Sequence, residues 1–128
     1  MGRHIAKMRV VAVLFLWLSF PGLLVAQDSV NPACKDDTRV VGACFTVHGR
    51  LSNWNGAPTR RIWVIGTRRI LGVRDDTDLP KILEDKLGDF DDIVTADFGV
   101  CPLTKKQAGH MRIVCVASVS NIKMSKRH

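Results

Sequence analysis

FTVHGRLSNWNGAPTRRIWVIGTRRILGV, residues 45 to 73, is the stretch whose reading decides the fold. Phe45, Val47 and Leu51 alternate with Thr46, His48, Arg50 and Ser52. That period of two belongs to a strand with one face in a core and the other in water. Asn55-Gly56 and then Pro58 break the alternation, and Arg61 to Ile65 resumes it with Trp63 among β-branched residues, which predicts a hairpin closed by an irregular loop. Gly66-Thr67 makes a second break. Ile70, Leu71 and Val73 then form a short third strand that ends at the polar run Asp75 to Asp78. Nothing in this meander is a catalytic signature.

Upstream, residues 1 to 26 have the composition of a secretory signal peptide: Arg3, Lys7 and Arg9, an apolar run from Val10 to Phe20, the breaker Pro21-Gly22, and Ala26 before a cut at Gln27. Leu24 is large for its place three residues before that cut, and the alternative is an uncleaved anchor. Val10 to Ala26 is interrupted and shorter than the about 20 apolar residues of a spanning helix, which favours cleavage. The expected location is therefore periplasmic or secreted. Removing the leader takes away three basic residues and no acid, so the formal charge falls from +7 to +4. The remaining length suits one compact domain.

The charges that remain come in blocks. Arg50 to Arg74 holds six arginines and no acid, Asp75 to Asp97 holds nine acids against Lys81 and Lys86, and the chain beyond is again basic. Blocks of this kind predict one basic and one acidic surface, or simply solvated faces. Cys34, Cys44, Cys101 and Cys115 contain no C-x-x-C pair, and an even count in a small exported domain argues for two disulfides rather than zinc. Strand parity turns Cys44 and Cys101 outward and Cys115 inward, and pairing Cys101 with Cys115 across a flat hairpin would need a bulge. The favoured set is Cys44 with Cys101 and Cys34 with Cys115, and the competitor is Cys34 with Cys44.

In chain order, residues 27 to 39 read as an extended arm held mainly by Cys34, and residues 40 to 122 as the single β-rich domain. Val40 to Leu51 is the first strand, with Gly42 and Gly49 as sites of a bulge or sharp coil. Asp78 or Leu79 caps a short helix with Pro80 in its first turn. Leu79, Ile82, Leu83 and Leu87 give that helix one apolar stripe, and Gly88 stops it. Too short to stand alone, it must pack on the open end of the sheet or barrel. Ile93 to Val100 is a fourth strand, and Met111 to Val119, running on towards Ile122, a fifth. Lys123 to His128 reads as a frayed basic tail. The expectation is a mainly β, five-stranded antiparallel barrel or sheet with one short helix between strands 3 and 4. This order of elements, over residues 40 to about 122, resembles that of the OB-fold, a Greek-key barrel that hosts many unrelated activities. An open antiparallel sheet with the helix on one face is the competing arrangement.

The leading candidate ligand site is Arg50, Trp54, Arg60, Arg61, Trp63, Arg68 and Arg69. The resemblance places these residues on the strands and loop where such barrels commonly bind oligonucleotides or oligosaccharides. Guanidinium groups and aromatic rings together grip an anionic or saccharide-like ligand by bidentate hydrogen bonds and stacking. The bland alternative packs Trp63 in the core and pairs the arginines with the acidic block. Export disfavours nucleic acid as the partner; an envelope or extracellular protein is the second class, met through the loop Trp54 to Thr59. His48, Asp97 and His110 lack metal-ligand spacing, although His48 and Asp97 approach each other if strands 1 and 4 are neighbours. Asp75 to Asp78 and Asp89 to Asp92 do not match a calcium loop, and no nucleophile elbow, phosphate loop or H-E-x-x-H is present. No cofactor is expected, and the chain reads as a non-enzymatic binding module.

Overall fold

The computed structural model describes residues 29–74 and 78–128. The leader read over residues 1 to 26 and the acids Asp75 and Asp76 lie outside the described residues. Among the described residues the helices and strands run in the order α1 (Pro32–Lys35), β1 (Phe45–Asn53), β2 (Arg60–Val64), β3 (Ile70–Val73), α2 (Lys81–Lys86), β4 (Asp92–Pro102) and β5 (Arg112–Lys126). The strands close a barrel in the order β1-β2-β3-β5-β4. Four of its pairings are antiparallel, and β3 meets β5 in parallel. The sheet is thus mixed, where antiparallel pairing throughout was expected. Four antiparallel steps from β3 through β2, β1 and β4 to β5 reverse the direction an even number of times, so β5 closes on β3 in the same direction.

Alternation sorts the side chains as the sequence pattern demands. Leu51, Ile62, Leu71, Val94, Phe98 and Val116 fill the barrel, and Leu79, Leu83 and Leu87 of the α2 region belong to the same apolar cluster. Leu83 is fully buried; burying such a side chain contributes about 2 kcal/mol, which an isolated six-residue helix has no means of supplying. The start of this helix differs from expectation. Pro80 stands at the N-cap with no side-chain cap, and Asp78 instead turns inward, where its Oδ1 accepts from Arg39 at 2.8 Å.

The first strand begins at Phe45, because Val40 and Val41 are taken up by backbone bonds to Asp37 and Pro102. Gly42 therefore lies outside it. Gly49 is inside it with an unbroken register to both neighbours, Val64 and Ala96. Its role is close approach: a Cβ there would stand 2.6 Å from Ile62 Cγ2 and 2.9 Å from the Trp63 carbonyl oxygen.

The cysteines pair as Cys34–Cys115 and Cys44–Cys101. Cys115 does not enter the barrel, contrary to its parity. The register between β4 and β5 shifts between Gly99 and Val100, so that Ala117 becomes an extra residue on β5. That bulge inverts the faces before it. Val114 and Val116 point into the core, while Cys115 and Ala117 join Cys34 and Cys101 in a small outer cluster beneath α1. Residues 32–35 are accordingly helical rather than extended, and the arm is anchored further by the Asn31 N–H, which donates to the Ala117 carbonyl at 2.8 Å.

At the other end β5 runs to Lys126. The segment read as a frayed tail is a strand edge: Lys123, Met124, Ser125 and Lys126 pair with Thr95, Val94, Ile93 and Asp92. The acid cluster at the start of β4 explains this. Lys126 Nζ binds Asp92 and Asp89, and the Arg127 N–H donates to the Asp91 carbonyl at 2.7 Å.

Candidate functional site

Residues at even positions of β1 face away from the core, and the pairing of Arg50 with Trp63 and of Ser52 with Arg61 brings two of them against β2. Trp54 follows β1 directly, and its loop is closed by its own N–H donating to the Thr59 carbonyl at 2.7 Å. Gly56, at φ 96°, supplies the left-handed turn this loop requires. Arg61 is held from the loop side, with Nε donating to the Pro58 carbonyl at 3.0 Å. The result is a trough of about 310 Å³ on the outer wall of the barrel. Arg50, Trp54, Arg61 and Trp63 line it, with Ile70, Ile93 and Arg127.

The rings and guanidinium groups in the trough are stacked. Arg50 lies 5.5 Å from the centre of Trp63, Arg61 5.7 Å from that of Trp54, and Arg127 4.9 Å from Trp54 and 5.0 Å from Phe90. Cation–π contacts of this kind orient the rings at modest energy and leave the guanidinium N–H edges for other acceptors. Trp63 is 37% exposed, and its indole N–H donates to the Thr67 carbonyl at 2.8 Å. It is not a core residue. Among the described residues Arg50, Arg61, Arg68 and Arg69 form no ion pair with the acidic block.

The other three predicted site residues stand apart from the trough. Arg60 points to the opposite side of the hairpin, beside Asn53, Arg74 and Phe90. Arg68 and Arg69 lie in the turn between β2 and β3, where they line a second depression, also of about 310 Å³, together with Lys106, His110 and Arg112. Phe45, packed against the edge of the core, lies nearby, with Arg112 5.3 Å and Arg69 6.0 Å from its ring centre. The sequence reading missed Arg127 and Ile93 at the trough and Lys106 and Arg112 at the cleft. For Arg127 a signal was present: a basic residue following an apolar alternation that reaches Ile122 and Met124 suggests a strand end rather than a tail.

His48 and Asp97 do meet, since β1 and β4 are neighbours. His48 Nδ1 lies 2.8 Å from Asp97 Oδ1, and Asn121 Nδ2 donates to Asp97 Oδ2 at 2.7 Å. Asn121 adopts φ 55° at a second bulge in β5, a conformation that Asn tolerates better than most residues. The Asn121 amide, and after it His48, holds the Asp97 carboxyl below the usual carboxylate range. The dyad lies on the exposed wall and lines neither the trough nor the cleft. His110 is at the cleft, away from both. Among the described residues one group of three potential metal ligands occurs, the sulfurs of Cys34, Cys101 and Cys115. All three are in disulfides, so they offer no thiolate.

Comparisons with protein-family models, curated proteins and solved structures found no match.

Proposed function

We propose that this chain is a small exported binding module, without catalytic activity of its own, that holds an anionic or saccharide-like ligand in the trough between Trp54 and Trp63. The observation that carries the reading is the convergence of Arg50, Arg61 and Arg127 with two partly exposed tryptophans in one concavity whose lining includes no acid. Arginine offers paired donors to carboxylate, sulfate or phosphate, and the indole faces offer an apolar floor for a sugar ring. Two disulfides in a domain of this size fit an oxidising compartment, and among the described residues no helix is long and apolar enough to cross a membrane.

The second class of reading, a protein-interaction role through the loop Trp54 to Thr59, gains less support. Trp54, although 43% exposed, is stacked against Arg61 and Arg127 on the trough side. The deciding experiment is capture on immobilised anionic and neutral glycans, alongside affinity purification from the envelope and medium of the native host. Arg61→Ala and Trp63→Ala are expected to abolish salt-sensitive glycan capture while leaving the melting temperature nearly unchanged. A polypeptide co-purifying in fixed ratio and lost on replacement of residues 54–59 transfers the assignment to the interaction role.

A further inference from the structure

Resting on the trough reading, we infer that the trough and the basic cleft are two subsites of one track, and that the ligand is a linear anionic polysaccharide long enough to occupy both. Ile70 lines both concavities. It pairs with Trp63 across β2 and β3, and it begins the strand whose next residue, Leu71, pairs with Arg112. An apolar side chain left 38% exposed at that position is a sill between two depressions of equal volume.

The charges on either side of the sill are of one sign. Arg50, Arg61 and Arg127 stand in the trough, and Arg68, Lys106 and Arg112 in the cleft. Among the described residues none of these six forms an ion pair, although the same chain pairs Lys126 and Arg39 with carboxylates elsewhere. Unneutralised cations in two neighbouring hollows match a ligand that repeats its anionic group along its length; a compact anion would fill one hollow and leave the other unused. The two indoles, Trp54 and Trp63, line the trough, and in the cleft Arg112 and Arg69 stack over Phe45, which suits a chain whose rings alternate with its charges. Nucleic acid shares this chemistry in part, but a domain built on two disulfides suits an oxidising compartment, apart from the nucleic acid of cytosol and nucleus.

Joining two weak subsites by one chain makes the second contact intramolecular, so affinity rises with length once both are spanned. The test is calorimetric titration of the full mature chain with size-fractionated heparin oligosaccharides, with single-stranded DNA of matched charge as the comparison. For the native protein the Kd is expected to fall by about tenfold or more between short and long fragments and then level off. Arg68→Ala combined with Lys106→Ala removes that gain but keeps the affinity for short fragments. Trp63→Ala with Arg61→Ala weakens short and long fragments alike. If the cleft variant binds long fragments as tightly as the native protein while the trough variant does not, the trough reading stands and the two-subsite inference is overturned. Loss of neither kind on the trough variant overturns both. DNA binding as tightly as heparin at equal charge overturns the choice of polysaccharide.

Discussion

Arg127 holds its guanidinium carbon 4.9 Å from the ring centre of Trp54. The same group reaches 5.0 Å from Phe90, and its Nη2 donates to the Asn53 carbonyl at 3.0 Å. One side chain therefore ties the end of β5 to the end of β1 and to the loop before β4. Arg127→Ala is expected to cost about 1 kcal/mol of stability, the scale of partly exposed cation–π contacts. It should also increase the mobility of Trp54. Denaturant unfolding measures the first effect and tryptophan fluorescence anisotropy the second; unchanged anisotropy would mean that the loop, rather than Arg127, fixes the ring.

Backbone approach sets a second expectation. A Cβ at Gly49 meets Ile62 and a carbonyl of β2, and one at Gly72 meets Pro58 Cγ at 2.5 Å, Ile113 Cδ1 at 2.8 Å and Met111 Sδ at 2.9 Å. Gly49→Ala and Gly72→Ala should each destabilise by about 1–3 kcal/mol through overpacking. Gly49→Ala should be the worse, since backbone cannot step aside as a side chain can. Gly88→Ala is the control, because its nearest neighbour is Asp92 Oδ2 at 4.0 Å. Thermal melts of the three variants, compared with the native chain, test the order.

Among the described residues three carboxyls have their folded-state pKa lowered from 3.8: Asp37 by Arg39, Asp92 by Lys126 and the Asp89 backbone, and Asp97 by Asn121 and His48. A depressed folded value means that the unfolded chain takes up protons first. The stability these groups contribute is present above pH 3.8 and is lost as the pH falls through their folded values. Lys126 is shifted the other way, raised from 10.5 mainly by its bond to Asp92, so its contribution is present below pH 10.5 and lost as the pH rises through the folded value. Urea midpoints measured from pH 2 to 6 should decline at the acid end, and less steeply in Asp92→Asn.

The disulfides close long segments, 81 and 57 residues apart in sequence. Each is expected to contribute about 4 kcal/mol through the unfolded state. Because closure entropy depends on the logarithm of length, the two should differ by only about 0.3 kcal/mol. Paired Ser replacements of Cys34 with Cys115, and of Cys44 with Cys101, should show nearly equal losses in chemical denaturation. A much larger loss for one pair would place its effect in the folded state.

The fold was legible wherever a single residue decided a face. Phe45 to Ser52, Ile62 with Val64 and Val94 to Val100 kept strict alternation, and each became a barrel strand with the expected side inward. Parity also led to the Cys44–Cys101 pair, whereas Cys34–Cys115 was reached as the remaining pair, from a parity that turned Cys115 to the wrong face. Reading failed where parity changes within a strand. The bulge at Ala117 leaves no mark in the sequence, since VCVASV alternates equally well in either phase, and only the partner strand shows which phase each half adopts. Lys123 to Lys126 failed for another reason: its pairing depends on Asp89 and Asp92, more than thirty residues away, while its own composition is that of a solvated end. The candidate site was legible in part. Arg50, Trp54, Arg61 and Trp63 converge because their strands pair, whereas Arg60, Arg68 and Arg69 share the composition of the set without sharing its face.

Each disulfide joins an early cysteine to a late one, and this bears on how the molecule is made. On a chain delivered from its N-terminus, Cys34 and Cys44 arrive ten residues apart, long before Cys101 and Cys115. Until then each is the other's sole intramolecular partner, and an oxidase acting in that interval creates a pairing that the finished barrel lacks. Correct maturation therefore requires either delayed oxidation or an isomerase that undoes the early bond. The finished barrel keeps the sulfurs of Cys34, Cys101 and Cys115 within 4.8 Å of one another. Opening Cys44–Cys101 by an external reductant would leave a Cys101 thiolate beside Cys34–Cys115, where attack would join Cys101 to one of that pair and release the other as a thiolate.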